Sequence, residues 1–289
     1  PTNSQLEPTF QAGTIKLAVV FPENFEAQLL HTNKAAIQLI GDATDPNTAN
    51  TLINYASAVI IDYQNNLRSQ AEFPYSINTE MRMLYNPQLK GSYNFVPGVM
   101  AMVLMLVCAM MTSISIVREK EMGTMEVILV SPIVPIWVVI AKMVPYFILS
   151  AVNIASILLL SVFVLEVPIQ GSLTLLVVEC LLFTITVLAL GLLISSVSDS
   201  QQIAMLISLM GLFLPTIMLS GFMFPIENMP VPLQIVSNVV PAKWFYTIVR
   251  NIMIKGVGFE HVWMETLILA GMTIFFMVVS IKKFKTRLE

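Results

Sequence analysis

Charged side chains are scarce in this chain: they make up 11% of 289 residues, against about a quarter of a soluble domain. The 15 basic residues do not outnumber the 18 acidic ones, so no cationic surface offers itself to a phosphate backbone, and nucleic-acid binding is excluded as a starting hypothesis. Cysteine is limited to Cys108 and Cys180, both inside long apolar runs, and histidine to His31 and His261. With no C-x-x-C pair and no Cys/His cluster, neither a zinc site nor a disulfide framework is indicated. A G-x-x-x-x-G-K-[ST] phosphate loop is missing, and so is a G-x-S-x-G nucleophile elbow. The chain therefore carries no recognisable ATP-hydrolysing or acyl-transfer machinery, no catalytic residue is assigned, and no cofactor or metal is expected on it. It opens at Pro1 without a basic and apolar leader, which is the pattern expected of a processed chain or a fragment.

What is abundant is apolar surface, 56% of residues. That is more than a soluble fold can hide, and membrane integration follows. Residues 1–94 hold 8 acidic and 5 basic side chains, while residues 95–289 hold 10 of each in twice the length. The first part reads as a small α/β domain, polar enough to be soluble. Thr14 to Val20 alternates as a strand with Ile15, Leu17 and Val19 on one side. Asp45-Pro46 is a helix cap followed by Pro at the first helical position. The helix after it repeats Leu52, Ile53, Ala56, Val59, Ile60 and Tyr63 on one face. A second alternating run sets Ile77, Met81, Met83 and Tyr85 against Asn78, Glu80 and Arg82.

Val96 to Val117 is 22 residues without a charge, about 33 Å as a helix and enough to cross a hydrocarbon core of roughly 30 Å. Further spans are expected near Ile136–Leu165, Leu173–Ile194, Ile203–Phe224 and Val262–Ile281, making five. The fold class is thus a membrane all-α bundle with a small N-terminal α/β domain. Basic residues fix its orientation. Lys282, Lys283, Lys285 and Arg287 crowd the tail, Arg118 and Lys120 follow the first span, and the loop Glu166–Gly171 has no Lys or Arg. The tail and the turn at Arg118 are therefore expected in the cytoplasm and residues 1–94 outside it. Residues 225–260 are broken by Pro225, Pro230, Pro232 and Pro241 yet remain apolar, which fits an interfacial or re-entrant pair of short helices. Trp244, Phe245 and Tyr246 beside Lys243 and Arg250 read as an anchor at headgroup level, with substrate contact as the other reading.

Residues 118–131 stand apart. Arg118, Glu119, Lys120 and Glu121 alternate in sign and lead into Met122, Met125, Ile128 and Leu129 at helical spacing, ending at Ser131-Pro132. A short amphipathic helix of this kind either seats the bilayer interface or docks a cytoplasmic partner.

Arg118-Glu119-Lys120-Glu121-x-Gly123-Thr124-x-Glu126 with Leu129-Val130-Ser131-Pro132 resembles the signature of the transmembrane subunits of type-two ATP-binding-cassette (ABC) exporters. Tyr85-Asn86-Pro87 ahead of Val96-Pro97-Gly98, Ser195 to Ala204, Leu219 to Pro225 with Asn228-Met229-Pro230, and then Pro241, Arg250 and Lys255-Gly256 are similar to further stretches of that family. The resemblance implies a bacterial inner-membrane permease of the multidrug-exporter kind. Two such subunits would stand side by side, each docked through the coupling helix to a nucleotide-binding subunit that holds ATP and Mg. Arg118, Glu119, Glu121, Gly123, Thr124 and Glu126 would be the coupling residues. A periplasmic adaptor on the external domain and membrane lipids are further partners. The family has six spans, so a first span is expected upstream of Pro1.

Within the spans, Lys142 lies near the cytoplasmic end, where it can snorkel. Glu179, about two turns in from the outside, is a candidate for the translocation pathway: a carboxyl there is protonated, faces an aqueous cavity or pairs with another helix. Gly191, Gly211, Pro145 and Pro215 are candidate kinks or close approaches. Two other classes compete with the ABC reading. An ATP-independent secondary carrier would bury more ionisable groups than Glu179 alone, and a membrane-anchored receptor or assembly protein would not need five spans.

Overall fold

The computed structural model describes residues 3–32, 34–70, 76–123 and 135–286. They fall into two compact units, one up to Asn94 and one from Phe95.

The first unit contains α1 (Asn3–Gln11), β1 (Leu17–Val20), α2 (Phe25–Thr32), β2 (Lys34–Asp42), α3 (Pro46–Gln70) and β3 (Ser76–Leu84). The sheet order is β1-β2-β3, with β1 antiparallel to β2 and β2 parallel to β3. A parallel pair needs a long crossover, and α3 supplies it. Its start is fixed by Asp45, whose carboxylate accepts from Asn47 N at 3.0 Å and Thr48 Oγ1 at 2.8 Å, with Pro46 in the first turn, where no amide donor is required. Ala35, Ile37 and Leu39 of the central strand pack with Leu29, Ile53 and Ile77.

Two expectations shift here. On α3 the buried line is Ile53, Ala56, Ile60 and Leu67, whereas Val59 and Tyr63 face outward. β1 begins only at Leu17 and exposes Val19, and on the edge strand β3 Met81 is exposed while Ile77 and Met83 reach the core. Tyr85 falls outside β3, at φ +66°.

The regular elements described in the second unit are helices. They comprise α4 (Ser92–Glu121), α5 (Pro135–Phe163), α6 (Leu173–Val197), α7 (Gln201–Leu219), α8 (Val231–Ser237), α9 (Pro241–Arg250) and α10 (Trp263–Thr286). Five of these, α4, α5, α6, α7 and α10, are long and apolar enough to cross a membrane. α4 and α6 form the interior, with 50% and 67% of their apolar stretch buried, against 17–22% for the other three. At Gly191 of α6 the two come too close for a side chain: a Cβ there would lie 2.7 Å from the Ala109 carbonyl oxygen and 2.9 Å from Thr112 Cβ. Small polar side chains pair across helices, as membrane bundles require. Cys108 meets Ser150 at 2.9 Å, Ser113 meets Ser208 at 3.3 Å and Thr186 meets Thr273 at 2.6 Å.

α7 widens into a π turn at Leu209–Phe213, just ahead of Pro215. Gly211 lies inside that turn, and among the described residues only Ile207 comes within 4 Å of where its Cβ would stand, at 3.8 Å. Residues 225–260 form short helices, and α9 runs on as a π turn over Asn251–Lys255, closed by Gly256 at φ +69°. The carbonyls exposed at that end accept from the loop after α5: Gln170 N donates to Met253 O at 2.9 Å and Gly171 N to Ile252 O at 3.1 Å. Both segments therefore share one end of the bundle.

Candidate coupling site and polar interior

The charged turn closes α4. Arg118, Glu119, Lys120 and Glu121 occupy its last turn. Gly123 at φ +68° then breaks the helix, a left-handed conformation that glycine adopts without strain. Gly123 N donates to Lys120 O at 3.2 Å and Met122 N to Arg118 O at 3.0 Å. The helical register thus ends before the stretch expected to be amphipathic. Thr124 and Glu126 lie outside the described residues, as does the rest of the segment to Val134.

Each of three charges in that turn meets a different helix. Glu119 forms an ion pair with Lys142 near the start of α5. Lys142, partly exposed at that end of its span, thereby reaches a carboxylate. Lys120 Nζ donates to the carbonyl of Ser195 in the last turn of α6, where helix carbonyls lack amide partners and a cation is favoured. Glu121 accepts from Gln201 N at 2.9 Å and from the Gln201 side-chain amide, at the start of α7, where amides lack carbonyl partners and an anion is favoured. Ser200 completes that cap by accepting from Ile203 N at 3.3 Å. Arg118 and Gly123 are exposed.

Glu179 lies between α6 and α10. It is 1% exposed, and Thr266 Oγ1 donates to its Oε1 at 2.8 Å. Its Oε2 has no hydrogen-bond partner among the described residues. Glu179 thus meets a neighbouring helix through Thr266.

The aromatic triplet is corrected in part. Phe245 and Tyr246 are 0% and 2% exposed, so neither is a headgroup anchor. Phe245 stacks on Phe183 of α6 with ring centres 4.0 Å apart and planes 3° from parallel, and Arg250 lies over the Tyr246 ring at 5.3 Å. Only Trp244 keeps an outer position, donating to Asn238 O at 3.0 Å. Lys243 donates to Ser237 Oγ and Asn238 Oδ1, and partial burial lowers its ammonium below the usual lysine range although Glu227 opposes the shift.

Sequence reasoning missed Ser195 and Gln201 as partners of the charged turn. The available signal was the sign alternation of residues 118–121 beside two uncharged helix ends, which have carbonyls and amides to satisfy.

Comparison with known proteins agrees with this architecture. The family model of ABC-2 family transporter proteins matches residues 2–282. The chain is 33% identical over 288 residues to the probable multidrug ABC transporter permease YbhS of Escherichia coli K12, covering 99% of this chain and 76% of that one. It is 32% identical over 259 residues to the probable multidrug ABC transporter permease YbhR of the same organism, covering 90% and 70%. With ABC transporter G family member 20 of Dictyostelium discoideum it shares 28% over 198 residues, 68% of this chain and 27% of that protein. With five spanning-length helices and a match over nearly its whole length, the chain belongs to the ABC-2 transporter family, as a multi-pass membrane permease.

Proposed function

We propose that the chain is the translocation subunit of an exporter that takes its energy from ATP hydrolysed on a separate nucleotide-binding subunit, which binds the ATP and Mg. Two permease subunits, identical or paired with a homologue, together form the pathway in a bacterial inner membrane. Residues 1–94 lie outside, where a periplasmic adaptor could reach them, and the C-terminus lies in the cytoplasm. Membrane lipids cover the exposed apolar faces. The names of YbhS and YbhR support a multidrug cargo class, in keeping with amphipathic drugs or lipids.

The observation that carries this reading is the charged turn at the end of α4, with Arg118 exposed and Gly123 turning the chain out of the helix. Arg118, Glu119, Glu121, Gly123, Thr124 and Glu126 are its coupling residues. Closure of the ATPase subunits pushes on this region and repacks the spans. Cargo moves because its affinity differs between the two packings. Glu179, held by Thr266, borders the pathway.

Purification in mild detergent should recover an ATPase subunit with the permease. Arg118→Ala should cut the stimulated ATPase rate about tenfold, the equivalent of about 1.4 kcal/mol, and Glu179→Gln should alter the pH dependence of that rate. Recovery of no ATPase, or full stimulation by Arg118→Ala, would overturn the coupling assignment. An unchanged pH profile would remove Glu179 from the pathway.

A further inference from the structure

We infer that the last turn of α4 is an internal latch, and that Lys142, the Ser195 carbonyl and Gln201 are positioning groups of the coupling step. The inference deepens the reading above and rests on it for the identity of the force. Three consecutive side chains of one helical turn, Glu119, Lys120 and Glu121, each grip the end of a different spanning helix at the same end of the bundle.

The signs match the ends they meet. The carboxylate of Glu121 sits at a helix start with free amides, the ammonium of Lys120 sits at a helix finish with free carbonyls, and the remaining carboxylate of Glu119 takes the lysine of α5. A docking surface would leave these charges to an outside partner. Here the three are engaged within the chain, Glu121 from an exposed position, and Arg118 is exposed at the start of the turn. The Glu119–Lys142 pair is also shielded, with side chains 21% and 29% exposed, so it is screened less than a pair on an open surface. Any displacement applied to this turn is therefore delivered to α4, α5, α6 and α7 together. Arg118 receives the push, and Glu119 to Glu121 distribute it.

Charge reversal tests the latch in the full-length permease. Glu119→Lys and Lys142→Glu should each lower the melting temperature in detergent, and the double reversal should regain most of the loss. In the complex with its ATPase, Lys142→Glu, which lies on α5 outside the charged turn, should leave the amount of bound ATPase within twofold while cutting the ATPase rate per bound subunit at least fivefold, and the double reversal should bring that rate back to within twofold. A double variant no more stable than the sum of its singles would remove the latch. A latch confirmed by melting, with the ATPase rate per bound subunit unchanged in Lys142→Glu, would remove its role in coupling. If the wild-type permease binds no ATPase, the exporter reading falls while the melting cycle still decides the latch.

Discussion

Tyr85 shows how one residue can carry a local conflict. It follows β3 at φ +66°, a backbone region that costs a bulky side chain about 1–3 kcal/mol. The strain is held by the next residue: Asn86 donates through Nδ2 to Lys90 O at 3.0 Å and accepts from Lys90 N at 3.0 Å, closing the turn behind it. Burial of the Tyr85 phenol, reinforced by the negative charges of Asp42 and Glu7, pushes its pKa up to about 12 from an ordinary value of 10.0. The consequence for stability has a definite sign. The unfolded phenol ionises near pH 10 while the folded one keeps its proton, so its contribution is complete below pH 10 and is lost as pH rises through about 12. Thermal melts of wild type and Tyr85→Phe across this range should diverge, with the wild type losing stability faster. Parallel curves would show that the phenol titrates normally in the fold.

Among the elements, those with a strong local signal were legible and those defined by their neighbours were not. Asp45-Pro46 marks the start of α3 because the cap and the missing amide act within one turn. The buried face of α3 was only half legible, since Tyr55, Val59 and Tyr63 repeat at the same helical spacing as the core residues and only tertiary contact separates the two stripes. β2, the central strand, escaped the sequence reading. Its burial alternates from Lys34 to Leu39 and then runs unbroken through Ile40 and Gly41, but the alternating positions are Ala35, Ile37 and Leu39 against Ala36 and Gln38, a weak contrast in side-chain character. Ile53 and Val59 are the pair that separates the two stripes. Ile53→Ala should destabilise the N-terminal unit by about 2–5 kcal/mol, and Val59→Ala should stay within about 0.5 kcal/mol, both measured as shifts in thermal unfolding. Equal effects would mean that the helix packs on a different face.

At the scale of the whole molecule, the five spans were legible because an uncharged run of more than about 18 residues has few other fates. The charged turn stood out by its sign pattern, but its partners within the chain did not: Lys142, Ser195 and Gln201 lie 23, 75 and 80 residues away along the chain. Those contacts bear on topology as well. They place the turn between α6 and α7 at the same end of the bundle as the end of α4, while the loop at Gln170–Gly171 meets the Ile252–Met253 carbonyls with the other set of helix ends. One sidedness measurement therefore orients the bundle. Cys108 and Cys180 are buried, so the wild-type chain should resist a membrane-impermeant maleimide and serve as its own blank. Exposed Asn65, Asn228 and Lys283 are suitable sites for single cysteines. In right-side-out spheroplasts Asn65→Cys and Asn228→Cys should label at once, and Lys283→Cys only after permeabilisation. The reverse pattern would place the charged turn outside, where no ATPase could reach it. Labelling of Asn65→Cys and Lys283→Cys from the same side would require an even number of crossings between them, contradicting the five spans on which the coupling argument depends.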